Sequence, residues 1–60
     1  MTITDYDVAD AMILYGGNFV QTLGHLFQRG DADNQARVKA AWPEYWAEYR
    51  ELARLKAAQV

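Results

Sequence analysis

Apolar residues recur along Asp5–Gln28 with the period of a helix. At about 100° per residue, Val8, Ala9, Met12, Ile13, Tyr15, Gly16, Phe19, Val20, Leu23, Leu26 and Phe27 share one face. The opposite face collects Asp7, Asp10, Gly17, Asn18, Gln21, His25 and Gln28, with Leu14 the one apolar residue out of phase. The phase holds through Gly16-Gly17, so the pattern predicts a single unbroken helix, longer than any other element. Such a face must be buried against something.

Local signals mark the ends of that helix. Thr4 suits the N-cap, with Asp7 three residues on to complete a capping box. Asp5 and Asp7 favour the positive end of the helix dipole. Arg29 falls in the last turn, and Gly30 follows at the position where a left-handed cap is usual.

After the turn Gly30-Asp31-Ala32-Asp33-Asn34, a short helix is expected over about 34–41, capped by Asp31 or Asp33. Val38, Ala41 and Trp42 lie on its inner side. Pro43 disfavours helical backbone at Trp42 and suits the first turn of a new helix, so a break is favoured over one kinked helix. The last helix runs from Pro43 to about Ala58. Its inner face holds Tyr45, Trp46, Tyr49, Leu52, Ala53, Ala57 and Val60. Glu44, Glu48 and Glu51 line the opposite side together with Leu55, and Glu51 can pair weakly with Arg54. The fold class is therefore all-α: a hairpin of two helices with a short linking helix, a small three-helix bundle in one domain over 1–60.

Sixty residues bury only about 60% of the unfolded surface, so a partner chain becomes a natural way to finish the core. The first helix presents an apolar face on the order of 160° wide, which leads to the expectation of a homodimer or larger assembly. There is no cysteine, which removes disulfides and thiolate metal sites. A net charge of −2 excludes the general basic field of a nucleic-acid binder. The eighteen residues Ala11–Gln28 carry no formal charge. Their stripe of Asn18, Gln21, His25 and Gln28 nevertheless argues against a membrane span, since lipid would have to face it. The acidic start argues against a signal peptide, and the expected location is the cytoplasm.

The motifs point to packing more than to chemistry. Trp42, Tyr45, Trp46 and Tyr49 share a face and are expected to pack on Phe19, Leu23 and Phe27, with an interface role for Trp46 or Tyr45 as the sharper alternative. Gly17 and Gly24 lie on one edge of the first helix and suggest close approach of another helix, against a functional kink at Gly16-Gly17. His25 has no carboxylate neighbour to orient it and reads as solvated. No nucleophile–base pair, metal-ligand spacing or phosphate-cradling loop is present, so no enzyme activity and no cofactor are expected. Glu44, Glu48 and Glu51, joined by Asp5, Asp7 and Asp10, either form an ordinary solvated surface or an acidic patch for a basic partner. In the second case Leu14 and Leu55 supply apolar anchors.

The segment Asp33-Asn34-Gln35-Ala36-Arg37-Val38-Lys39-Ala40-Ala41-Trp42-Pro43-Glu44-Tyr45-Trp46 resembles one found in small proteins of temperate bacteriophages and prophages. Tyr15-Gly16-Gly17-Asn18-Phe19-Val20 is similar to theirs as well, so the likeness covers about two thirds of the chain. It carries no functional residues across. It implies a phage accessory protein acting inside a bacterial host. By analogy with other small, acidic, cofactor-free phage proteins, it implies an inhibitor of host defence of the anti-CRISPR type.

Three functions follow as expectations. The first is a non-catalytic module that binds a host protein complex, such as a CRISPR effector, through Asp7, Asp10, Leu14, Glu44, Glu48, Glu51 and Leu55. The second is a self-assembling structural or regulatory phage protein. The third, disfavoured by the charge balance, is nucleic-acid binding through Arg29, Arg37 and Lys39.

Overall fold

The computed structural model describes residues 2–58, and among these every regular element is a helix. There are four: α1 Asp5–Tyr15, α2 Asn18–Arg29, α3 Ala32–Ala41 and α4 Pro43–Ala58. The architecture is all-α as expected, but the bundle has four helices and not three. The long first helix is broken at Gly16-Gly17, and α4, with 16 residues, is the longest element.

The reason for the break is lateral space. Gly16 and Gly17 are both extended, at φ −80°, ψ 161° and φ −76°, ψ −174°. Neither needs the left-handed region. A Cβ on Gly16 would lie 2.5 Å from the Met12 carbonyl oxygen and 2.6 Å from Val20 Cγ1, so only glycine lets α2 fold back this closely. At Gly17 a Cβ would meet open space. The returning helix is antiparallel: Tyr6 packs edge-on against Phe27, and Gly24 lies against Ala9 and Met12. A Cβ on Gly24 would sit 2.8 Å from the Ala9 carbonyl oxygen, which is the close approach expected of that glycine.

The other ends follow local chemistry. Thr4 and Asp7 form the expected capping box: the Asp7 N–H donates to Thr4 Oγ1 and the Thr4 N–H to Asp7 Oδ2. Asp31 caps α3 by accepting from the Asn34 N–H at 2.9 Å. That cap starts α3 at Ala32, two residues earlier than expected. Gly30 is not a left-handed cap; it is extended at φ −83°, and its N–H reaches the Phe27 carbonyl. At Trp42 the backbone leaves the helical region, at φ −134°, ψ 63°, so Pro43 opens a new helix and does not kink an old one.

The core forms where α1 packs against both α2 and α4. Val8, Ala9, Ala11 and Met12 of α1 meet Val20, Leu23 and Phe27 of α2, Val38 of α3, and Trp46, Tyr49 and Ala53 of α4. Tyr45, Leu52 and Trp42 cover its edge, half-buried. The aromatic cluster of Trp42 and α4 thus packs as expected: Trp46 on Phe27 at 4.7 Å between ring centres, Tyr45 and Trp42 on Phe19 at 6.0 and 5.8 Å. Ala41 faces solvent, contrary to its expected inner position, and Val60 lies outside the described residues. Among the described residues no helix is long and apolar enough to cross a membrane.

Candidate functional site

The expected site residues separate into two stripes on two helices. On α4, Glu44, Glu48, Glu51 and Leu55 are all exposed along one side, as their spacing requires. On α1, Asp7, Asp10 and Leu14 are exposed on the side away from Val8, Ala9 and Met12. Both stripes are available to solvent, but their carboxylates are not equivalent.

Asp7 is occupied by the capping box. The Thr4 backbone N–H, and then its hydroxyl, hold the Asp7 carboxyl below its ordinary value. Asp10 accepts from Gln28 Nε2 at 2.7 Å, which ties α1 to the end of α2. Glu51 is paired with Arg54 one turn on, at 3.1 Å from Arg54 Nε. That contact depresses the Glu51 carboxyl and raises the guanidinium. Glu44 and Glu48 have no cationic partner within ion-pair distance among the described residues.

Asp5 does not belong to an acidic patch. It accepts from Lys39 Nζ at 3.1 Å and from Trp46 Nε1 at 3.2 Å, so one carboxylate joins the start of α1 to α3 and α4. Burial opposes its ionisation, but the Lys39 ammonium and the Trp46 indole outweigh that and hold its carboxyl below the ordinary value of 3.8. Nothing in the local pattern signalled this role, since the partners lie 34 and 41 residues away. The only signal was that Lys39 and the Trp46 indole both needed a partner.

The same contact divides the basic trio. Lys39 lines a shallow groove with Asp5, Gln35 and Ala36, whereas Arg29 and Arg37 line a separate groove of about 280 Å³ with Leu26, Asn34 and Val38. His25 is exposed. Among the described residues no three His, Cys, Asp or Glu side chains gather as metal ligands would.

The apolar anchors are placed more suggestively. Leu14 and Tyr15 are 57% and 55% exposed at the end of α1, and Leu55 is 44% exposed on α4. Tyr15 and Leu55 line a common groove of about 320 Å³, with Leu52 and Lys56. Tyr15, read from its phase as an inner residue, is therefore a surface residue, as are Phe19 and Leu26. Compared with known proteins, the chain matches no family model, no curated protein and no solved structure.

Proposed function

We propose that the protein is a non-catalytic binding module that occupies a surface of another protein. In the phage setting implied by its sequence resemblance, the target is a host defence complex, and binding inhibits it. The observation that carries the reading is the groove where Tyr15 of α1 meets Leu55 of α4, at the end of the Glu44–Glu48–Glu51 stripe. Single exposed apolar residues are ordinary on protein surfaces. Two large ones from different helices, beside a stripe in which Glu51 is paired with Arg54 but Glu44 and Glu48 have no cation partner among the described residues, offer apolar anchors next to charge. The complementary partner has a basic surface with an apolar projection.

The test begins with capture of a bacterial protein by the tagged chain and continues with both purified components. Changing Glu44, Glu48 and Glu51 together to Lys should abolish binding while helix content is kept. Leu55→Ser should weaken it about tenfold, equivalent to roughly 1.4 kcal/mol. Unchanged affinity in the triple variant would show that the stripe is only a solvated face. The Arg29–Arg37 groove leaves nucleic-acid binding as a weaker second reading, since Lys39 is already paired with Asp5.

A further inference from the structure

The break at Gly16-Gly17 and the unbroken apolar phase across it are two facts about the same segment. A hairpin of two independent helices has no need to keep one helical phase through its turn. A chain that also exists as one straight helix does. We propose that the α1–α2 hairpin opens at Gly16-Gly17 into a single continuous helix and that a second copy of the chain receives the opened arm. Each copy's α1 then packs on the other's α2. This inference does not rest on the binding reading above, which uses the closed chain with Tyr15 exposed.

Three observations support the exchange. First, the linker has only two residues, and short linkers favour exchange between copies over local closure. Second, both linker residues have ordinary negative φ, so straightening them requires a change of ψ alone and no passage through a glycine-only region. Third, two of the large apolar residues left exposed in the hairpin, Tyr15 and Phe19, lie where exchange would cover them. Tyr6 pairs with Phe27 and Ala9 with Gly24. Kept between two straight antiparallel helices, that register sets Tyr15 of one copy opposite Asn18 and Phe19 of the other, on both sides of the two-fold axis. Tyr15 and Phe19 are each 55% exposed in the closed chain. Gly16, central on the apolar face, lets the two backbones approach there. All contacts of the closed hairpin re-form between copies, and only the hinge contacts are new.

Two substitutions at the hinge push in opposite directions. Gly17→Pro favours the closed hairpin: φ is already −76°, a Cβ there meets nothing within 4 Å, and Gly16 has the extended backbone required before proline. The same proline breaks a continuous helix. Changing Gly16 and Gly17 together to Ala favours the open form, because a Cβ at Gly16 collides with Met12 and Val20 only when the hairpin is closed, and alanine favours helix.

The experiment is light scattering behind size exclusion, from micromolar to millimolar protein, with circular dichroism on each species. Wild type should pass from a 6.8 kDa monomer to a dimer as concentration rises. The double Ala variant should be dimeric at least tenfold lower concentration, and Gly17→Pro should remain monomeric throughout with full helix content. A Gly17→Pro protein that dimerises like wild type would mean side-by-side association and would overturn the proposal. So would a wild type that is monomeric at millimolar concentration, or a folded double Ala variant no more dimeric than wild type.

Discussion

Trp46 donates its indole N–H to the Asp5 carboxylate at 3.2 Å, joining α4 to the first turn of α1 across 41 residues of sequence. Lys39 completes the contact from α3. One side chain thereby links three helices, beside the Gln35–Tyr6 hydrogen bond that also joins α3 to α1. Removing it by Asp5→Ala loses a hydrogen bond worth about 1 kcal/mol and a half-exposed ion pair worth about 0–1 kcal/mol. Urea denaturation should show a loss of roughly 1–2 kcal/mol. Asp5→Asn, which still accepts from Trp46, should lose about half as much; equal losses would show that the indole bond contributes nothing.

The same contact sets a pH dependence. Asp5 has a carboxyl held below 3.8 in the folded chain by Lys39 and Trp46. A depressed carboxyl stabilises the fold at pH values above its unfolded value, and that contribution is lost as pH falls through the lower folded value. Wild type should therefore exceed Asp5→Asn in stability by a constant margin from pH 7 to about 5. The margin should shrink below the ordinary value of 3.8. Denaturation midpoints measured across that range test it, and a margin that widens on acidification would contradict the assignment.

Gly24 and Gly17 should respond oppositely to added side chains. At Gly24 a Cβ would lie 2.8 Å from the Ala9 carbonyl oxygen and 3.0 Å from Ile13 Cγ1, both across the helix interface. Gly24→Ala gains about 1 kcal/mol of helix propensity but forces α1 and α2 apart, at about 1–3 kcal/mol. The net change should be destabilising. Gly17 is the N-cap of α2, has no side-chain cap and faces open space. Gly17→Ser should supply that cap and stabilise by about 0.5 kcal/mol. Thermal unfolding of the two variants should shift in opposite directions.

Much of the fold follows from local rules that these residues obey. Thr4 and Asp7 cap as their spacing requires, Pro43 starts α4, and the aromatic side of α4 is the buried one. What local rules could not reach was non-local. Helical phase reports which residues point one way, and a two-residue break that preserves phase leaves no mark in it. Gly16 is needed because a Cβ there would meet both Val20 and the Met12 carbonyl, a crowding that exists only after the turn is made. Ala11 is buried, although outside the main stripe, because α4 covers a second side of α1. Asp5 has the position of an ordinary helix-start acid, and only the tertiary fold brings Lys39 and Trp46 to it. At the candidate site, the exposure of Glu44, Glu48 and Leu55 was readable from spacing. The exposure of Tyr15 was not, since it depends on where the first helix ends.

Duplex DNA separates the protein-binding reading from nucleic-acid binding. Each phosphate neutralised contributes a slope of about −0.9 in the logarithm of affinity against the logarithm of salt. Lys39 is paired with Asp5, so Arg29 and Arg37 are the members of the basic trio left to make such contacts, in one groove. Two contacts give a slope near −1.8, or about a twelvefold change between 50 and 200 mM salt. Against a net charge of −2, with Glu44 and Glu48 exposed, that attraction is too small to hold a duplex. The expected result in a fluorescence titration is no measurable binding at 50 mM salt. Asp5→Asn, which releases Lys39, should change nothing, because Lys39 lines a different groove from the two arginines. Binding with a slope steeper than about −4 would require basic groups beyond this trio. It would shift the function from the Tyr15–Leu55 groove to the turn between α2 and α3.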